Sequence, residues 1–340
     1  MRREPLVRSL LASENPSIRW KVRVGVLGED PDSRAIRRLQ DEIRDSPTVR
    51  ALLSRRDRAG EIHVKRNPYD KWQGAHWVFA ALADVGHPPG DERLLPLRDQ
   101  VFALWLRDEF FAEFDAATRA KAYSGHGVPV MRGRHRRCAS QQGNALLSAT
   151  RLGLEDPDCE RLVERLLHWQ WPDGGWNCDK DPSADTSSFM ETVLPMRGLA
   201  LWGRKQRHRK ATHAAAKASE VFLSRSLFKR RRDGRVIAEG FTKLHYPLYW
   251  HYDILGGLRA MADLGKLGDA RCVAALDLLE AKELPGGAGG GWPAEARFFK
   301  TASRPALGVD WVSWGSATRT RPNEWVTADA LAVLQAAGRG

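Results

Sequence analysis

Apolar residues recur at i, i+3, i+4 and i+7 in many stretches of the chain, while alternating β-branched runs are scarce. This pattern predicts a helical protein built from two kinds of helix. One kind is apolar nearly all round, rich in small residues and closed by glycine, which supplies the left-handed position after a helix end. Its examples are PSIRWKVRVGVLG (16–28), GAHWVFAALADVG (74–86), QQGNALLSATRLG (141–153), SSFMETVLPMRGLALWG (187–203), HYDILGGLRAMADLG (251–265) and EWVTADALAVLQAAG (324–338). The other kind is amphipathic and charged, and begins near Asp or Pro, as a helix start should. It comprises DSRAIRRLQDEIRDS (32–46), DERLLPLRDQVFALWLRDEFF (91–111), DPDCERLVERLLHWQ (156–170), KATHAAAKASEVFLSRSLF (210–228) and GDARCVAALDLLEAKEL (268–284). EPLVRSLLAS (4–13) supplies a partner for the first apolar helix.

Helices apolar on every side belong inside and amphipathic ones outside. About six inner and six outer helices then form either an open superhelix or a closed double ring. Gly74, Ala75, Gly143, Ala145, Gly256 and Gly257 let the inner helices crowd, which favours closure. The expected fold is therefore all-α, an α/α toroid spanning residues 1–340 as one domain. In such a ring the inner helix N-termini gather at one mouth, with their positive ends and the residues preceding them. The segment KTASRPALGVDWVSWGSATRTRPN (300–323) is too long and glycine-poor for a hinge, and is placed to fold over that mouth as a lid.

Glycine-rich turns follow the outer helices: QWPDGGW (170–176), a partial copy LPGGAGGGW (284–292) and a degenerate one, LSRRDRAGEI (53–62). This pattern resembles the glutamine–tryptophan repeat of the squalene cyclase and prenyltransferase superfamily. There the Gln closes an outer helix, the turn reverses the chain, and the Trp packs the turn onto the next helix. The resemblance follows the helix order over the whole chain. It is nearest to single-domain, soluble bacterial proteins of cyclase-like or prenyltransferase-like type, and implies a cyclase-, isomerase-, lyase- or transferase-like activity. The sequence departs from the family in lacking DxDD, DDxxD and the two-domain length of triterpene cyclases. Asp185 in SADTSS (183–188) stands where those cyclases carry their proton donor, with Thr186 following as it does there.

The chain carries 54 Lys+Arg against 42 Asp+Glu, a net charge of +12, concentrated in 204–235 and in GRHRRC (133–138). Such a surplus suits a phosphate-bearing partner or an Arg-rich surface. The patch lacks the interleaved aromatics of single-strand binders, so nucleic acid is not the expected partner. No run approaches the ~20 apolar residues of a membrane span, which leaves only peripheral membrane contact. The basic N-terminus has a brief apolar patch and reads as a first helix, not a signal peptide. Four cysteines make no disulfide framework, so a cytoplasmic setting is expected.

Candidate chemistry gathers before the inner helices. Asp185 is the candidate proton donor, with Asp179 and Asp181 beside it to share a proton or a cation. The alternative is that Asp185 or Ser188 caps a helix, with Ser188 and Glu191 as a capping box. His251 is a candidate general base and Asp253 its orienting partner or an acid; equally, Asp253 is a first-turn carboxylate complementing the helix dipole. His76 is a third titratable candidate, or a satisfied core histidine. Among 13 tryptophans and 5 tyrosines, Trp72, Trp77, Tyr246, Tyr249, Trp250, Tyr252, Trp314 and Trp325 fall near inner helix starts. Their faces would line a cavity for an apolar substrate or stabilise a transient carbocation. Cys159 and Cys272 belong to outer helices, whereas Cys138 and Cys178 precede inner ones. With a histidine such as His251 they would make a Cys–Cys–His zinc set, similar in kind to that of the lanthionine cyclases.

The expected function is acid-initiated cyclisation, isomerisation or elimination of an isoprenoid-like or other hydrophobic small molecule, with no cofactor favoured. A zinc-dependent transferase or lyase on the same ring is the alternative. A non-catalytic helical scaffold binding nucleic acid or a protein partner is the third reading, and it requires an open superhelix.

Overall fold

The structure, a computed structural model, describes residues 3–302 and 306–340 and is mostly α-helical. In chain order come α1 (Glu4–Leu11), α2 (Pro16–Gly25), α3 (Arg34–Arg44), α4 (Pro47–Leu53), α5 (Ala75–Val85), α6 (Leu95–Trp105) and α7 (Arg119–Ser124). They are followed by α8 (Ser140–Arg151), α9 (Pro157–His168), α10 (Phe189–Lys205), α11 (Arg209–Leu223), α12 (Ile254–Asp263), α13 (Val273–Glu280) and α14 (Glu324–Ala336). Side-chain oxygens hold several starts: Asn15 accepts from Ser17 N, Ser33 from Ile36 N, Asp253 from Gly256 N and Asn323 from Trp325 N. The Ser188–Glu191 capping box does not form. Glu191 instead reaches the start of α8, where its Oε2 accepts from Ser140 N at 3.1 Å.

Burial separates most helices of the two kinds as the pattern predicts, although α2, expected to be apolar all round, buries no larger a share of its residues than the charged α11. Along α10 buried residues run unbroken from Glu191 to Ala200, whereas α3 buries only Ile36, Leu39, Gln40 and Ile43, one stripe. The apolar helices touch in a fixed succession: α2 on α5, α5 on α8, α8 on α10, α10 on α12, α12 on α14, and α14 back on α2. The charged helices lie against them, α3 on α2, α6 on α5, α9 on α8, α11 on α10 and α13 on α12. Glycine lets α8 and α10 pack closely: a Cβ on Gly143 would sit 2.4 Å from the Pro195 backbone. Gly74, Gly256 and Gly257 serve differently from the helix crowding expected of them. They make room for Pro68 O, Leu248 and the Tyr252 hydroxyl.

The all-α expectation needs one correction. β1 (Glu113–Asp115), β2 (Val128–Met131) and β3 (Arg134–His135) form a sheet in that order, the first pair parallel and the second antiparallel. Strands of two to four residues are too short to leave a readable alternation in the sequence. The short α4 and α7 escaped the reading for the same reason. No helix among the described residues is long and apolar enough to cross a membrane.

The two glycine-rich turns are built alike. Gln170 Nε2 donates to Gly174 O (2.6 Å) inside its own turn and to Ala214 O (2.9 Å) of α11. Trp176 Nε1 donates back to Leu166 O of α9 (2.9 Å), and Trp176 N donates forward to Thr192 Oγ1 of α10 (3.1 Å). Trp292 repeats this with Leu279 O of α13 (2.7 Å) and Thr327 Oγ1 of α14 (2.9 Å). The glycine before each Trp is required, since a Cβ on Gly175 or Gly291 would meet that threonine hydroxyl at 2.5 and 2.6 Å.

Candidate functional site

A cavity of about 90 Å³ lies between α5, α8, α10 and α12, closed by residues 246–251 and by Trp314. The helices around it run side by side in the same sense. At one end Ser140 meets Glu191, His76 meets Asn144 and Trp72 meets His251; at the other, Asp84 and Asp263 both face Arg151. The cavity accordingly has two unlike ends.

The first end is aromatic, made by Tyr246, Tyr249, His251 and Trp314. The Tyr249 hydroxyl donates to Asp310 Oδ2 in a short hydrogen bond, and Asp310 also accepts from Trp314 Nε1 (2.7 Å) and, through Oδ1, from Val312 N (2.9 Å). Burial pushes the Asp310 carboxyl above its ordinary range despite those donors. Burial, and then Asp310 itself, likewise push the Tyr249 phenol up. His251 lies flat on Phe298, ring centroids 3.5 Å apart, with its Nδ1 unpartnered among the described residues. Burial, then the charge of Lys71, lower its pKa to about 4, so it is neutral at pH 7.

The second end is charged. Asp84 of α5, Arg151 of α8, Arg197 of α10 and Arg259 of α12 line it. Behind them stand Lys21 of α2, Asp263 of α12 and Asp329 of α14, so four cations face three carboxylates. Arg259 bridges Asp84 (2.7 Å) and Asp329 (2.8 Å); Lys21 reaches the same two at 3.4 and 3.0 Å; Arg197 Nε donates to Asp263 at 2.6 Å. The Tyr246 hydroxyl donates to Asp84 (2.9 Å). Burial works to raise the Asp84 pKa, but Arg259, Lys21 and Arg151 overcome it and hold the carboxyl well below its usual range. Arg151 is the exception in this network. It stands 3.6 Å from both Asp84 and Asp263 and makes no side-chain hydrogen bond among the described residues. Burial, then the neighbouring Arg197, bring it down to about 10.

The residues expected from sequence divide against this geometry. Tyr246, Tyr249, His251 and Trp314 line the cavity. Trp72 stacks on Tyr249 at 3.9 Å, Trp325 on Tyr246 at 4.9 Å and Trp250 on His251 at 4.2 Å, so these three back the wall without forming it. Trp77 is buried with its Nε1 on Tyr69 O, and Tyr252 belongs to a separate cluster with Phe189, Phe222 and Phe241. Asp253 is a fully committed cap: it accepts from Gly256 N and from both His245 N and His245 Nδ1, so its histidine is His245 and not His251. His76 is a core residue. Trp105 Nε1 donates to its Nδ1 (3.0 Å), so Nε2 carries the ring proton and faces the Asn144 amide (3.2 Å), whose oxygen is the fitting partner.

Asp185 is exposed, and Asp179 and Asp181 are exposed with it, in a loop of Asx-type turns. The burial that would keep Asp185 protonated is absent there, so the proton-donor role expected of it has no physical support. Cys138 and Cys178 do come together, but with Glu191 in place of His251. The three ligand atoms lie within 4.8 Å of one another, and Cys178 Sγ is 3.4 Å from Glu191 Oε1. Cys138, then burial and Glu191, push the Cys178 thiol far up, and burial raises Glu191. Two sulfurs and a carboxylate fit a zinc ion's donor preference, and His251 is no member of the set. In the lid candidate, residues 303–305 lie outside the described residues. The remainder is tied to the loop before α5 through Gly308 N on Lys71 O and Gln73 Nε2 on Val309 O.

The sequence reading missed Asp84, Arg151, Arg197, Arg259, Asp263 and Asp329. Their signal was present: several apolar helices carry one or two charges amid small residues, as in ALADVG, SATRLG and RAMADLG. No known family model matches the chain, and no curated protein matches it either.

Proposed function

We propose that the chain is an α/α toroid of the squalene cyclase and prenyltransferase kind, and an enzyme acting on a small, largely apolar molecule that carries an anionic group. The fold reading is supported by the succession of inner-helix contacts that returns from α14 to α2, and by the matched turns at Trp176 and Trp292. That return contact also weighs against an open scaffold. The observation that carries the function is the two-ended cavity, aromatic at Tyr249, His251 and Trp314 and cationic at Arg151, Arg197 and Arg259. A ligand anion would supply the hydrogen-bond partner that Arg151 lacks among the described residues, while apolar substrate atoms suit the aromatic faces.

Tyr249 and Asp310 replace Asp185 as the proton-handling pair. A phenol whose pKa is raised is too weak to protonate an isolated alkene. Of the acid-initiated reactions expected, isomerisation or elimination beside a carbonyl or leaving group therefore suits this pair better than cyclisation. Because the phenol donates to Asp310, the pair would work as a relay: the Tyr249 oxygen takes a proton from substrate as its own passes to the Asp310 carboxylate, and the reverse transfer returns it. At about 90 Å³ the cavity is below the ~300 Å³ of ordinary ligand pockets, so a short-chain substrate fits as it stands. A longer one requires the segment bearing Trp314 to swing outward.

The test is ligand capture. Protein incubated with a cellular lipid and metabolite extract, washed and analysed by mass spectrometry should retain an acidic small molecule. Arg151→Met should lose it at least ~10-fold, the share a buried ion pair can carry. Tyr249→Phe and Asp310→Asn should retain it without turnover, and Asp185→Asn should behave as wild type. Equal retention by Arg151→Met ends the proposal.

A second reading rests on Cys138, Cys178 and Glu191, which would hold zinc beside the aromatic end. A zinc there would supply Lewis-acid polarisation of a substrate oxygen. Stoichiometric zinc in purified protein, lost in Cys178→Ser, favours that reading.

A further inference from the structure

Away from the cavity, three side chains from three separate elements direct ligand atoms at one point. They are Glu113 in β1, His135 in β3 and His168, the last residue of α9. His135 Nε2 lies 3.1 Å from one carboxylate oxygen of Glu113, and His168 Nε2 lies 2.8 Å from the other. The two imidazoles are neighbours, with centroids 4.5 Å apart and planes inclined by 52°. Neither Cys138 nor the cavity residues take part in this group.

We propose that Glu113, His135 and His168 bind a divalent transition-metal ion of the zinc class at this partly exposed site, pinning the strand-bearing segment to the end of α9. Zinc bound at 2.0–2.2 Å by nitrogen and oxygen ligands in a tetrahedron keeps those ligands ~3.4 Å apart. The Nε2–oxygen distances of 2.8 and 3.1 Å therefore need to open by only a few tenths of an ångström. Two imidazoles and one carboxylate are a borderline donor set that suits Zn²⁺, Ni²⁺ or Cu²⁺; Mg²⁺ and Ca²⁺ require mostly oxygen ligands. Three protein ligands leave at least one position for water, as partial exposure allows.

Surrounding groups favour this occupant. The free carbonyls at the end of α9 place partial negative charge at His168. Trp171 Nε1 donates to His135 O at 2.8 Å and fixes the backbone that carries one ligand. The nearby cations Arg134 and Arg165 lie over the rings of Trp171 and Phe111, not on the Glu113 carboxylate. An ion here would tie β1 and β3 to α9, and through residues 136–139 would steady the start of α8, which lines the cavity.

The site is independent of the cysteine cluster, and its test keeps the two apart. Full-length protein stripped with a chelator is titrated with Zn²⁺ by calorimetry, in wild type and in a Cys138→Ser/Cys178→Ser background. The cysteine-free background should bind one equivalent, and wild type at least that. Glu113→Gln and His168→Ala, each in that background, should weaken binding at least ~10-fold, as loss of one of three ligands does. Co²⁺ in the background variant should show visible d–d bands without the near-ultraviolet charge transfer of thiolate ligation. Zinc should also slow amide exchange across residues 112–136. No zinc bound in the cysteine-free background, or unchanged affinity in both Glu113→Gln and His168→Ala, overturns the proposal.

Discussion

At the scale of single residues, the same side-chain type has opposite fates depending on what surrounds it. Trp176 and Trp314 are both buried tryptophans donating through Nε1, one to a helix carbonyl in a turn and the other to the Asp310 carboxylate at a cavity wall. His76 and His251 are both kept neutral, the first by burial between Trp105 and Asn144 and the second by burial on Phe298. Their folded pKa values, about 3 and about 4, lie below the ~6.5 of an unfolded histidine. Between those values the unfolded chain binds protons that the folded chain does not, so folding stability rises with pH through that window. The midpoint of thermal unfolding should accordingly drop steadily as pH falls from about 6.5 toward 4. Nitrogen-15 spectra should show His76 still neutral at pH 4. A histidine protonated at pH 6 at that position would contradict the buried Trp105–His76–Asn144 chain.

At the scale of elements, most of the helices were legible because each is a local pattern. A small-residue apolar stretch ending in glycine, or a charged amphipathic one beginning with Asp or Pro, needs no distant partner to be recognised. The exceptions, α4, α7 and the three strands, are too short to repeat their period often enough to be recognised. The α8–α10 pair offers the sharpest test of packing. Alanine favours a helix over glycine by ~1 kcal/mol, so Gly143→Ala would stabilise an isolated α8. The added Cβ, however, would fall 2.4 Å from the Pro195 main chain, which cannot rotate away as a side-chain tip can. Overpacking of that kind costs ~1–3 kcal/mol, and a net loss of up to ~2 kcal/mol is expected in urea unfolding.

At the scale of the whole molecule, the charged end of the cavity joins helices far apart in the chain. Arg259 and Arg151 occupy it on different terms. Arg259 bridges Asp84 and Asp329, and removing it would leave a buried and a half-buried carboxylate short of their counter-charge. Breaking such a pair costs ~3–5 kcal/mol, so Arg259→Met should unfold at markedly lower denaturant. Arg151 meets its carboxylates only at 3.6 Å and is itself strained by burial, so Arg151→Met should stay within ~1 kcal/mol of wild type. Loss of ligand capture without loss of stability would mark Arg151 as a binding residue; a collapse equal to that of Arg259→Met would mark it as structural.

The sequence by itself determined most of the helices, their apolar or amphipathic character, and the glycine–tryptophan turns, because each depends on residues within a few positions of one another. It also marked Tyr246, Tyr249, His251 and Trp314 as candidates by their clustering near helix starts. Only the tertiary structure decided which candidates share a cavity. It placed Asp185 in solvent, paired Asp253 with His245, and gave Cys178 the partner Glu191. It alone assembled Asp84, Arg151, Arg197 and Arg259 into one charged floor. A lone charge in an apolar helix carries no record of its counter-ion, since electrostatic pairing depends on distance in space and is blind to separation along the chain.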